Sequence, residues 1–84
     1  MEKRIGRVTH FYARICIAVL ELSEELQVGD VIYIRGRSTD FTQEVTSMEI
    51  EHQKVESVGP GADVALQVLK RVRKGDAVFK VIEK

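Results

Sequence analysis

Residues 26–36 read Leu-Gln-Val-Gly-Asp-Val-Ile-Tyr-Ile-Arg-Gly, in which a turn signal precedes a short segment of alternating polarity. Ile32 and Ile34 would share one face of a strand, and Tyr33 and Arg35 would lie on the other. Glycines bound the segment at both ends, and glycine readily adopts the positive φ that tight turns need. The stretch therefore predicts a β-strand with one face in a core.

Similar segments follow one another along the rest of the chain, separated by glycine turns. Further strands are predicted at residues 5–12, 14–20, 42–58, 64–68 and 77–82. Residues 14–20 are apolar on both faces, so this strand should be central and covered on each side. Residues 21–27 are too few for a stable helix, and a single turn or a loop is favoured there.

Six strands with no helix to cover a sheet favour closure, because an open sheet would expose apolar surface and edges. We therefore predict an all-β fold, a single domain over residues 1–84, formed as a closed six-stranded Greek-key β-barrel. A bulge near residues 46–47 would turn both Val45 and Met48 inward. In the last strand Lys80 marks the outer face. The residues expected on the inner face there are Ala77, Phe79 and Val81. The residues expected to be almost fully buried elsewhere are Ile17, Ile32, Ile34, Ile50, Val64 and Leu66.

Charge and composition narrow the functional classes. Thirteen basic and thirteen acidic residues give a formal net charge of zero, so any nucleic-acid contact must come from a local patch. No apolar stretch approaches the roughly 18 residues of a membrane-spanning helix. The single cysteine, Cys16, cannot form an internal disulfide, which suits the cytoplasm, and its apolar neighbours predict a buried, inert thiol.

The chain contains no asparagine, one cysteine and two methionines, while 31% of its residues are charged. Depletion of thermolabile side chains together with abundant Glu, Lys and Arg is typical of proteins from thermophiles. The composition thus predicts a thermophilic source, with a plain surface preference as the alternative.

Several segments, taken in order, resemble the second, β-barrel domain of translational GTPases such as elongation factor Tu. The similar segments are residues 6–8, 26–36, 45–50, 58–66 and 74–79. A closer likeness is to the C-terminal barrel of the collagenase-like, peptidase-annotated family. That likeness is carried by residues 8–12 (Val-Thr-His-Phe-Tyr), 39–41 (Thr-Asp-Phe) and 47–52 (Ser-Met-Glu-Ile-Glu-His). For the barrel alone, the resemblance implies binding, commonly to tRNA, to ribosomal components or to neighbouring domains.

The sequence offers little for catalysis. No phosphate-binding loop of the G-x-x-x-x-G-K-[ST] type occurs, so nucleotide binding is not expected. One cysteine cannot hold an iron–sulfur cluster, and His10, His52 and Cys16 are too few for a structural zinc site, so we expect no metal or cofactor. No serine sits in a nucleophile elbow. The protein is predicted not to be an enzyme.

Basic residues give the sharpest functional hypothesis, binding to RNA, either tRNA or the ribosome surface. Guanidinium groups beside glycine suit phosphate contacts, and aromatic side chains could stack on bases if they are exposed. The residues assigned to this hypothesis are Arg35, Arg37, Lys70, Arg71, Arg73, Lys74, Tyr12 and Phe41. The alternative is a protein-interaction adaptor that docks on a separately encoded catalytic, collagenase-like subunit, and an ordinary solvated rim would also account for the charges.

Overall fold

A computed structural model describes residues 2–82. Within them the chain forms ten β-strands and no helix, so no helix there is long and apolar enough to span a membrane. The strands are β1 (Glu2–Tyr12), β2 (Ile17–Leu22), β3 (Leu26–Gln27), β4 (Val31–Arg35), β5 (Asp40–Glu44), β6 (Met48–Ile50), β7 (Gln53–Val55), β8 (Ser57–Val58), β9 (Asp63–Gln67) and β10 (Ala77–Val81). The predicted all-β class is confirmed.

Eight of the strands form one antiparallel sheet in the order β5-β4-β10-β1-β2-β9-β6-β7, and β3 pairs with β8 in a separate ribbon. The order ends at β5 and β7, and no ladder among residues 2–82 joins these two edges. The closed six-stranded Greek-key barrel is therefore not confirmed, and the predicted count of six strands is wrong.

The miscount arises mainly in residues 42–58, which were predicted as one long strand. The chain leaves the sheet at residues 45–47 and reverses direction at residues 51–52, so short strands replace the long one. Val45 and Met48 are both buried as predicted, but an irregular segment between β5 and β6 turns them inward instead of a bulge within a strand.

A side chain joins the edge strand β5 to the end of β9. The amide nitrogen of buried Gln43 donates to the carbonyl oxygen of Gln67 at 2.8 Å, and its Oε1 accepts from the backbone N–H of Leu69 at 2.8 Å. These two bonds satisfy backbone groups that a strand ladder would otherwise pair. The sheet therefore curls so that β5 lies beside β9, although no strand ladder connects them.

One buried cluster of side chains from across the chain forms the core. Four of the six residues predicted to be buried lie in it, namely Ile32, Ile34, Val64 and Leu66. Ile17 and Ile50 are only half-buried, so the prediction for these two is wrong. Ile17 lies on the outer face of β2 because the alternate residues of that strand, Ala18, Leu20 and Leu22, face the core.

The inner face of β10 was assigned wrongly. Val78 is fully buried and lies opposite Ile34 in the ladder with β4. The other face of the strand carries Ala77, Phe79 and Val81, which are only half-buried. Lys80 therefore lies on the same, inward-facing side of β10 as Val78. The Lys80 ammonium reaches the carboxylate of Asp30 at 3.5 Å, which shows how its long stem can follow the inner face while its charge stays paired.

Cys16 is exposed, not buried as predicted. Strand β2 begins one residue later, so Cys16 ends the turn that connects β1 to β2, where it has a positive φ of 55°. Its Sγ lies 3.9 Å from the carbonyl oxygen of Ala13.

Two turns that each contain the dipeptide Gly-Asp share one construction. In each, the aspartate Oδ2 accepts from the N–H three residues earlier, Asp30 from Gln27 and Asp76 from Arg73, both at 2.9 Å. The aspartate N–H in turn donates to the carbonyl of the same earlier residue at 3.1 Å. The glycine before each aspartate has a positive φ, 99° and 95°. Neither turn joins two strands that pair with each other, so the shared construction is that of a turn and not of a hairpin.

Candidate docking surface

The two predicted basic segments meet at one end of the sheet. Arg35, at the end of β4, lies opposite Ala77, the first residue of β10. The next residue, Gly36, abuts the buried carboxylate of Asp76, so the loop after β4 and the turn before β10 are in contact. All six cations of the two segments are exposed: Arg35, Arg37, Lys70, Arg71, Arg73 and Lys74. We call this set the basic end.

The Arg35 side chain of the basic end makes a defined contact. Its guanidinium carbon lies 5.5 Å from the centroid of the Phe79 ring, within the range of a cation–π interaction. Phe79 also neighbours Tyr33, with ring centroids 6.0 Å apart. The Tyr33 hydroxyl donates to Asp40 Oδ1 at 2.8 Å, and this hydrogen bond to a carboxylate raises the pKa of Tyr33 above its ordinary value of 10.0.

The aromatic residues assigned to RNA stacking do not join the basic end. Phe41 is buried in the core, because its side chain lies on the inner face of β5, so the prediction that it could stack on bases is wrong. Tyr12 is exposed, but it ends β1 opposite Ile17, next to the β1–β2 turn, and its ring lies 4.5 Å from that of His10. No salt bridge within residues 2–82 involves the cations of the basic end.

A groove of about 660 Å³ lies elsewhere, on the outer face of β2, β9 and β6. Its floor is apolar: Val19 of β2 lies opposite Ala65 of β9, and Ile17 continues the same face. Tyr12 and Ile15 form one end of it, and Ile15 is 62% exposed. We call this groove the outer groove. Its apolar residues are Tyr12, Ile15, Ile17, Val19 and Ala65, and its polar residues include Glu49, Glu51, His52 and Asp63.

Acidic side chains line the outer groove away from its apolar end. Glu49 lies opposite Ala65 in the β6–β9 pairing, and Asp63 begins β9. Glu51 and His52 form the two-residue connection between β6 and β7 and also line the groove. No lysine or arginine is among the lining residues within the described part of the chain.

The Glu51–His52 turn has an unusual backbone. Both residues have positive φ, 51° and 66°, which is the pattern of a type I′ hairpin turn. Such turns favour Asn and Gly, since other side chains are strained in the left-handed region. Here two larger, exposed polar side chains occupy these positions at the rim of the groove.

Sequence reasoning missed the outer groove, although one signal for it was present. The second strand was predicted to be apolar on both faces and therefore covered on each side. The structure covers only one of them: Ala18 and Leu20 are buried, whereas Ile17 and Val19 remain half-buried in the groove. Nothing in residues 2–82 fills that second face.

His10 and His52, the two histidines considered as metal ligands, are both exposed. Residues 2–82 hold no group of three or more His, Cys, Asp or Glu side chains placed to bind a metal ion.

No protein-family profile matches the chain. It is 40% identical over 80 residues to an uncharacterized protease of Methanocaldococcus jannaschii, a match that covers 94% of this chain but 20% of that protein. The chain thus spans about a fifth of the length of this relative.

Two crystal structures have the same fold. Both are of the C-terminal domain of a U32 peptidase family protein from Geobacillus thermoleovorans, the second as its selenomethionine variant. The first superposes with a TM-score of 0.89 at 18% identity and covers 95% of this chain and 93% of that one. The second superposes with a TM-score of 0.86 at 18% identity and covers 90% and 96%. These neighbours support the likeness to the peptidase-annotated family and not the likeness to the translational GTPases, so the fold is that of a U32 peptidase C-terminal domain.

Proposed function

We propose that the chain is a non-catalytic docking domain that binds the catalytic part of a U32 peptidase-like protein. The observation that carries the proposal is the outer groove, whose apolar floor includes the second face of a strand that is apolar on both sides. A strand of that pattern is normally covered on each face. A partner surface seated in the groove would complete the burial of Ile17 and Val19.

The relative from M. jannaschii supports the choice of partner. Four fifths of that protein lie outside the segment that matches this chain, which leaves room for a separate, larger domain. Tyr12 and Ile15 supply an exposed aromatic and an exposed aliphatic side chain at one end of the groove, and buried anchors of this kind carry most of the energy of protein interfaces.

A non-catalytic role agrees with the chemistry of the groove. His52 and Glu51 make no hydrogen bond to a serine, threonine or cysteine side chain within residues 2–82. General-base activation of a nucleophile needs such a contact or a substrate pose that creates one.

The test is direct binding. The M. jannaschii relative is expressed without its matching segment, its folding is checked by circular dichroism, and its binding to this chain is measured by isothermal titration calorimetry. We expect a one-to-one complex, and Ile15→Ser should weaken it by about tenfold or more, as the loss of an anchor does. The matched control is Val31→Ser, another exposed branched residue that does not line the groove. Absence of binding by the wild-type chain at high micromolar concentration would reject the proposal.

Binding to RNA is a second candidate, favoured by one observation, the contact between Gly36 and Asp76 that joins the two segments of the basic end. Adjacent cations can bind a phosphate backbone even when the net charge is zero, because charges are screened beyond about 10 Å. Fluorescence anisotropy with bulk tRNA at about 50 and 200 mM salt tests it. Changing Arg35, Arg37, Arg73 and Lys74 together to Gln should abolish binding while the thermal midpoint stays nearly constant. No binding by the wild type at the lower salt would remove this candidate.

A further inference from the structure

Resting on the proposed docking function, we propose that the segment held in the outer groove is an extended peptide stretch with apolar side chains and, at one end of them, lysine or arginine. The apolar side chains would lie on Ile17, Val19 and Ala65. The cations would lie against the carboxylates towards the Asp63 end of this floor.

Charge complementarity supports the basic character of the partner. Three carboxylates, Glu49, Glu51 and Asp63, line the groove. None of them forms a salt bridge within the described residues, although Lys54 lies opposite Glu49 in the β6–β7 ladder. The chain as a whole is neutral, so this excess of negative charge is local to the groove. A partner with acidic groups at these positions would be repelled, whereas a basic one gains both attraction and specificity.

The carboxylates are spaced along the groove. Asp63 begins β9 opposite Glu21, whereas Gln67 ends that strand opposite Ile17. Glu49 lies opposite Ala65, between these two ends. An extended peptide following β9 would therefore meet negative charge first and apolar surface next.

The turn at residues 51–52 adds an independent reason to assign a role to its side chains. Glu51 and His52 keep left-handed backbone conformations that Asn and Gly adopt with less strain. Both side chains line the groove, so the turn places a carboxylate and an imidazole where a partner would contact them. We assign Glu51 to the recognition of a cation on the partner.

The first experiment tests whether the groove prefers a basic to an acidic peptide, without using the catalytic partner. The ¹⁵N-labelled chain is titrated with two synthetic peptides, Lys-Val-Leu-Val-Lys and Glu-Val-Leu-Val-Glu, and amide shifts are followed by NMR. We expect the lysine peptide to shift amides along the floor, at Ile17, Val19 and Ala65, and near Glu51. Equal shifts with both peptides, shifts outside the groove, or none with the lysine peptide would overturn the inference. Because no catalytic partner is needed, its failure differs from failure of the proposed function.

The second experiment uses docking variants. Glu51→Gln combined with Asp63→Asn should weaken binding of the lysine peptide and of the truncated M. jannaschii relative by about tenfold, as loss of charge pairs at an interface does, and should flatten the salt dependence of both. The matched control, Glu25→Gln with Glu44→Gln, removes the same charge at exposed positions outside the groove. If Ile15→Ser weakens docking while the carboxylate variant and its control behave alike, the inference is wrong and the docking function stands.

Discussion

The backbone of Gly36 lies so close to the carboxylate of Asp76 that a Cβ atom at position 36 would overlap the carboxylate oxygen. Asp76 is buried and also accepts the backbone N–H of Arg73 at 2.9 Å. One carboxylate therefore fixes the turn before β10 and sets the distance to the loop after β4. The relative placement of the two basic segments depends on this contact.

Gly36→Ala should destabilise the fold by about 1–3 kcal/mol, since a methyl group forced into a packed contact displaces its neighbours. The midpoint of urea denaturation measures the effect. Gly59→Ala is the matched control, because a Cβ there meets no atom within 4 Å. Equal midpoints for the two variants would show that the loop after β4 can move away freely.

The inner face of β4 carries a second prediction. Ile34 is fully buried, so Ile34→Ala should lower the free energy of unfolding by about 2–5 kcal/mol through lost burial and the cavity left behind. Ile15→Ala removes the same atoms from a residue that is 62% exposed and should change stability by less than about 0.5 kcal/mol. Chemical denaturation of both variants gives the comparison, and similar losses would contradict the inward assignment of Ile34.

The strained hairpin turn predicts a gain in stability. Replacing Glu51 by Asn and His52 by Gly should stabilise the fold by about 1–3 kcal/mol, because these residues relieve the cost of left-handed backbone. Replacing both by Ala removes the same functional groups but keeps the strain, so the gain should be absent. Thermal and urea unfolding of the two double variants measure the difference. If the Asn-Gly variant is no more stable than the Ala-Ala variant, the turn is not strained.

The Tyr33–Asp40 hydrogen bond should make the free energy of unfolding decrease at alkaline pH. The pKa of folded Tyr33 is raised above 10.0, chiefly by this bond, so its contribution is present below pH 10 and is lost as the pH rises through the raised value. In a Tyr12→Phe background, Asp40→Asn should lower the titration midpoint of the remaining tyrosine, followed by tyrosinate absorbance. Asp63→Asn removes a carboxylate that makes no contact with Tyr33 and should leave that midpoint in place. An unchanged midpoint in Asp40→Asn would contradict the assigned cause.

Composition supports a prediction about temperature. The lack of asparagine and the 31% of charged residues predict a thermal midpoint above the range of about 45–65 °C that is common for mesophilic domains. Differential scanning calorimetry measures it. A reversible midpoint near 50 °C, within that mesophilic range, would leave the missing asparagine as chance.

The alternation of polar and apolar residues was sufficient to predict the buried face of a strand where the opposite face is polar. The alternation at Ile32 and Ile34 gave the inner face of β4 correctly, because Tyr33 and Arg35 marked the other. It failed in β10, where both faces carry apolar residues and the lone charge, on Lys80, lies in phase with the buried Val78 and pairs with Asp30. A long aliphatic stem lets a cation occupy either face, so one lysine does not decide the direction of a strand.

The candidate site could be predicted only in part. The glycines beside arginine correctly indicated that the basic residues lie at strand ends. That the two basic segments lie together depends on the contact between Gly36 and Asp76, which are far apart in sequence. The groove depends on register, which brings Val19, Ala65 and Glu49 into one row across three strands. The one sign of the groove in the sequence was that β2 is apolar on both faces. This pattern indicated that something covers the outer face of β2 but not which group does so.

The position of β10 governs how the chain reaches its fold. This strand lies between β1 and β4, and among residues 2–82 it is the strand whose ladders join the β4–β5 hairpin to the rest of the large sheet. During synthesis β1, β2, β9, β6 and β7 can pair with one another before residues 77–81 have emerged, but the β4–β5 hairpin can join them through a ladder only afterwards. Pairing β1 with β10 closes a loop that spans most of the chain, and contacts of such long sequence separation slow folding. We expect nascent chains that lack β10 to remain partly open and sensitive to proteases. Cooperative unfolding should appear only after β10 has been inserted between β1 and β4, which are synthesised much earlier.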